Sequence, residues 1–99
     1  MASGELSLNV NGEGIPLDYF VQGFIDRVIT GILETLRGTG PIKNLSLAIN
    51  GEEVRVNLNS DPVAINRFVS KIIRNTVIGM VSSLKGVGQI DNLEIRITK

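Results

Sequence analysis

The sequence predicts an α+β sandwich, a four-stranded antiparallel sheet with two helices on one face. Three observations predict it. One pattern occurs twice, 48 residues apart. Each copy alternates like a strand, recurs like a helix and alternates again. The copies meet at a turn that reverses the chain.

The repeat carries the most weight. Residues 6–51 fall on 54–99 without a gap, and 13 of those 46 positions are identical, among them Asn11/Asn59, Phe20/Phe68, Gly31/Gly79, Gly38/Gly86 and Gly40/Gly88. Most other positions exchange one aliphatic for another, as in Leu8/Val56 and Leu33/Val81. We expect a single domain over 1–99 built by tandem duplication of a βαβ unit, with a period in the range of repeat architectures.

The strands come from period-2 alternation. LSLNV, LSLAI, VRVNL and LEIRI each put three aliphatics on one face: Leu6/Leu8/Val10, Leu45/Leu47/Ile49, Val54/Val56/Leu58 and Leu93/Ile95/Ile97. Such alternation belongs to a sheet with one buried and one wet face. Helical stretches are expected over roughly 15–37 and 62–85. Asp61 is read as an N-cap with Pro62 at the first helical position, and Pro16 fits inside a first turn. Asn50-Gly51 between alternating runs signals a hairpin joining the copies.

The order is therefore βαββαβ. Right-handed crossovers favour the strand order 92–98, 6–11, 53–59, 44–50, a ferredoxin-like sandwich. That fold hosts many functions, so its name alone assigns none.

Composition removes several chemistries. The chain has no cysteine and no histidine. A disulfide framework, a thiolate nucleophile and structural zinc are thereby excluded, along with the commonest general base. No metal or cofactor is expected. Ten basic and ten acidic groups cancel, which is not the charge of a general nucleic-acid binder. Base stacking would require aromatics on the wet face of the central strands, and the residues expected there are Ser7, Asn9, Asn11, Arg55, Asn57 and Asn59. No leader or spanning segment is read, so no membrane partner is expected and the chain is placed in the cytoplasm.

The helices carry more apolar surface than one sheet needs. Phe20, Val21, Phe24, Ile25, Val28, Ile29, Ile32, Leu33 and Leu36 of the first sweep well over half the circumference, and Phe68, Val69, Ile72, Ile73, Val77, Met80, Val81 and Leu84 of the second do the same. A stripe slightly over 100° wide covers a sheet. The surplus points to a partner surface and to a homo-oligomer, with a dimer as the expected state. Gly31 and Gly79 sit mid-helix at equivalent positions, which suggests close packing there. Arg67, Lys71 and Arg74 form a basic stripe on the second helix, and Asp18, Gln22 and Asp26 an acidic one on the first.

The glycine pairs in RGTG (37–40) and KGVG (85–88) follow helices, whereas a phosphate loop precedes one. They are read as helix stops, with Arg37 and Lys85 opposing the negative end of the dipole. The strand-to-helix loops NGEGIP and NSDPVA are better placed for a small ligand, with Asn11, Gly12, Gly14 and Asn59 as candidates. In βαββαβ order and in a glycine near the first loop, the chain resembles regulatory ligand-sensing domains of the ACT type. There Gly12 and Gly14 would be the matching positions.

VQGFIDR (21–27) resembles the acylphosphatase signature, and GPIKN (40–44) its second. That resemblance implies Arg27 holding an acyl phosphate and Asn44 orienting water. The pattern departs from the family in two respects. Val21-Gln22-Gly23 aligns with Val69-Ser70-Lys71, inside a helix, and Asn44 begins its strand. The resulting expectation is a small self-associating domain without catalysis, with ligand sensing and acyl-phosphate hydrolysis as alternatives.

Overall fold

A computed structural model describes residues 5–37 and 42–98. Its elements in chain order are β1 (Glu5–Val10), β2 (Glu13–Gly14), α1 (Tyr19–Arg37), β3 (Asn44–Asn50), β4 (Glu53–Leu58), β5 (Asp61–Pro62), α2 (Arg67–Ser82) and β6 (Asn92–Thr98). The fold is α+β, with two helices and an antiparallel sheet. The sheet has six strands where four were expected, in the order β2-β1-β6-β3-β4-β5.

The two additional strands come from turn chemistry. Asn11 and Gly12 both have positive φ, and so do Asn59 and Ser60. Paired positive φ values at two central residues define the type I′ hairpin turn. Each turn folds two residues back onto the strand before them, pairing Val10 with Glu13 and Leu58 with Asp61. Runs this short, built from Glu, Gly, Asp and Pro, leave no alternation to read.

The same turns correct the strand order. β2 occupies one edge of β1, and β5 occupies one edge of β4. Neither β1 nor β4 can then accept long partners on both sides. The central strands are therefore 44–50 and 92–98, and not 6–11 and 53–59 as expected. Crossover handedness does not separate the two orders, because in both each βαβ unit steps over one strand in the same direction.

Helix starts also shift. Asp61 and Pro62 lie in β5, so α2 begins later, at Arg67, where the Asn66 Oδ1 accepts from the Val69 amide at 2.8 Å. An edge strand tolerates proline, which has no amide to donate to the ladder. In the first half Asp18 caps α1 in the same way, accepting from the Val21 amide at 2.8 Å. α2 ends at Ser82, one turn before Gly86. Ser82 and Ser83 donate their hydroxyls to the Gly79 carbonyl, and the Ser83 amide donates to Met80. Gly86, at φ 87, then completes a separate turn closed by the Val87 amide on the Leu84 carbonyl. Gly38 and Gly40 lie outside the described residues.

The β3–β4 hairpin forms one residue later than its Asn-Gly signal suggests. Asn50 pairs with Glu53, and Gly51 at φ 61 opens the two-residue loop. This register opposes Leu45 to Leu58, Leu47 to Val56 and Ile49 to Val54. A loop at Asn50-Gly51 would oppose Ile49 to Glu52 and lose one of those apolar pairs.

The 48-residue shift maps every register of one half onto the other. Glu5↔Thr98 of β1–β6 becomes Glu53↔Asn50 of β4–β3, and Asn9↔Gly14 becomes Asn57↔Pro62. Leu47 opposes Ile95, its own counterpart. A pseudo-twofold axis therefore passes between β3 and β6. Among the described residues the core is wholly aliphatic and joins the inward face of the four long strands to Ile25, Ile29 and Leu33 of α1 and Ile73, Val77 and Val81 of α2. Both helices thus cover the same sheet face, and the slab is only 18 Å thick.

Candidate functional site

Among the described side chains three on each helix are buried, flanked by the partly buried Val21 and Ile32 on α1 and Val69, Ile78 and Met80 on α2, and the opposite face of each helix is turned away from the core. That outer face holds every aromatic side chain of the chain. Tyr19, Phe20 and Phe68 are 85%, 75% and 70% exposed, and Phe24 and Ile72 are also exposed. The Phe20 and Phe24 rings lie 6.1 Å apart in a tilted pair. Phe68 and Ile72 occupy the same positions in α2, so the pseudo-twofold generates a second, smaller apolar cluster at the start of that helix.

The α1 cluster borders the far end of α2. A groove of about 390 Å³ runs between Phe20, Val21 and Phe24 on one side and Gly79, Met80, Ser83 and Leu84 on the other. Its glycine floor is open, since a Cβ at Gly79 would meet nothing within 4 Å, and the same holds at Gly31. The carbonyls of both glycines accept a hydroxyl from four residues on, from Thr35 at 2.9 Å and from Ser83 at 2.8 Å. Small residues thus cluster in the second half of each helix, beside the aromatics that open the other. A larger concavity of about 650 Å³ follows the outer flank of α1, between Leu6 and a wall that includes Tyr19, Gly23, Asp26 and Arg27.

The charged stripes separate on inspection. Asp18 caps α1, Gln22 donates to the Leu17 carbonyl, and Asp26 accepts from the Thr30 hydroxyl at 2.9 Å. Arg67 and Lys71 are exposed, while Arg74 reaches the Gly51 carbonyl at 2.7 Å and ties α2 to the β3–β4 turn.

The small-ligand candidates lie at the sheet ends. Asn11 Oδ1 accepts from the Asp91 and Asn92 amides at 2.8 and 3.0 Å, and its Nδ2 donates to the Gln89 carbonyl. Asn59 Oδ1 accepts from the Lys43 and Asn44 amides at 2.7 and 3.1 Å. Each asparagine therefore clamps the start of a central strand to the end of an outer one. Gly12 forms the turn, and Gly14 pairs opposite Asn9.

Of the acyl-phosphate pair, Arg27 lies mid-α1 on the exposed side, and Asn44 opens β3 beside Asn59. The structure brings Asn44 and Asn59 together and leaves Arg27 in the other layer. Val21-Gln22-Gly23 is helical. The strands that occupy the sheet centre carry Ser46, Ala48, Glu94 and Arg96 outward, none of them aromatic.

Among the described residues, no three His, Cys, Asp or Glu side chains gather as a metal site requires, and no helix is long and apolar enough to cross a membrane. No family model, curated protein or solved structure matches the chain.

Sequence reasoning read one wide apolar stripe on each helix and did not divide it; the structure buries Ile25, Ile29 and Leu33 of α1 and leaves Phe20 and Phe24 exposed.

Proposed function

We propose that this chain is a small non-catalytic interaction domain that self-associates through its helical layer, as a dimer. The observation that supports this is the segregation of its side chains. Among the described residues the core is entirely aliphatic, while all four aromatics stand on the outer helical face.

Magnitudes favour a covered surface over a tolerated one. At roughly 200 Å² for a free aromatic side chain, the four aromatics and Ile72 leave about 600 Å² uncovered. That area is divided between two clusters at opposite ends of one helical layer. It is most of the roughly 800 Å² per partner that a standard interface buries, before Met80 or Val28 is counted. The two halves are further read as products of one duplicated unit, supported by the register shared across the 48-residue shift.

Sedimentation velocity tests the reading. The wild-type chain is expected to run as a dimer at micromolar concentration. The double variant Phe20→Ser with Phe24→Ser is expected to run as a monomer with an unchanged far-UV circular dichroism spectrum, because neither ring belongs to the core. A wild-type chain that remains monomeric overturns the proposal.

A further inference from the structure

We infer that two copies pair helical layer to helical layer, with α1 of each lying over α2 of the other. The phenylalanines that open α1 then seat over the partner's Gly79. This rests on the self-association reading and specifies its geometry.

The glycines supply the first argument. Glycine is disfavoured in a helix interior. Gly31 and Gly79 nevertheless recur at equivalent mid-helix positions, and within one copy nothing lies within 4 Å of where their Cβ would be. Among the described residues nothing in the copy packs against these positions, so each leaves a shallow gap in the helix surface that a second copy can enter.

Surface relief supplies the second. β1 and β3 run one way and β4 and β6 the other, so α1 and α2 are antiparallel. The aromatic start of each helix therefore flanks the small-residue end of its neighbour, as the groove between Phe20 and Gly79 shows. A second copy turned face down about a twofold axis in the plane sets bulky ends on glycine ends. It does so in two arrangements only, α1 over the partner's α2 or like helix over like helix.

Charge chooses between them. The ionisable residues of α2 are Arg67, Lys71 and Arg74, all basic, whereas α1 contributes Asp26 and Glu34 along with Arg27 and Arg37. Pairing like helices brings the exposed Arg67 and Lys71 of α2 against their own copies. Pairing unlike helices places Asp26 on the same flank as the partner's Lys71, since Gly23 and Asp26 share the outer flank of α1 and hold the positions of Lys71 and Arg74 in the other half. Like-charge juxtaposition of this kind suppresses the alternative.

The absence of cysteine makes the test clean. Arg27 and Asn75 are exposed at equivalent positions on α1 and α2. An oxidised mixture of Arg27→Cys and Asn75→Cys chains is expected to cross-link at least tenfold more than either variant alone. If Arg27→Cys cross-links to itself as well as the mixture does, while the chain still sediments as a dimer, the pairing is overturned and self-association stands. If the chain is a monomer, the reading beneath the pairing falls as well. Gly79→Leu provides a second readout. It is expected to weaken the dimer at least tenfold and leave the circular dichroism spectrum unchanged, and an unaltered dissociation constant overturns the glycine seat.

Discussion

Ser60 holds φ at 73°, in the turn position that Gly12 fills at φ 84 in the first half. A left-handed conformation costs a side-chain-bearing residue about 1–2 kcal/mol. Glycine removes that strain but gives back about 0.5–1 kcal/mol through its freer unfolded chain. Ser60→Gly is therefore expected to stabilise the protein by about 0.5–1 kcal/mol, read as a higher urea midpoint. The preceding residues, Asn11 and Asn59, are the type that tolerates this region best among those with a side chain. Their side chains also do a second task, holding the Asp91–Asn92 and Lys43–Asn44 amides. The repeated asparagines were visible in the sequence, but their backbone partners were not, because those amides lie far away along the chain.

At the scale of elements, the four long strands were legible, since alternation survives intact through residues 45–49, 54–58 and 93–97. Helix starts were not. Asp61-Pro62 has the residue types of a helix entry, yet the turn at Asn59-Ser60 recruits both into β5 before a helix can begin. A variant pair separates the two capping assignments. Asn66→Ala is expected to cost about 1 kcal/mol, the usual loss for a side-chain N-cap, and Asp61→Ala only a few tenths, both by urea unfolding. Equal losses would restore Asp61 as the cap. Strand order was illegible for the same reason. Local alternation says which faces are buried but not which edges are already taken, and two residues folded back at Glu13 and Asp61 decide that. The surplus of apolar helix surface was legible as a total. Its division into an aliphatic inner stripe and an aromatic outer face depended on how few helix residues the narrow sheet covers.

At the scale of the molecule, a slab of two layers buries one face of each helix and exposes the other. The pairing proposed above would cover much of the apolar surface that the core leaves out. A partner that binds the folded state alone raises apparent stability by mass action. The thermal midpoint is accordingly expected to rise with protein concentration in calorimetry, and the Phe20→Ser, Phe24→Ser variant is expected to lose that dependence. A wild-type midpoint independent of concentration would count against pairing in the folded state.

The two shortest strands have one further effect. An open sheet whose border strands are long offers a template on which molecules polymerise into fibres. Here β2 covers only the Asn9 and Val10 end of β1, and β5 only the Asn57 and Leu58 end of β4, each with a carboxylate and the second with a proline. An incoming chain finds only the remaining part of each outer edge to extend. Such rims disfavour growth strand by strand at the sheet edges.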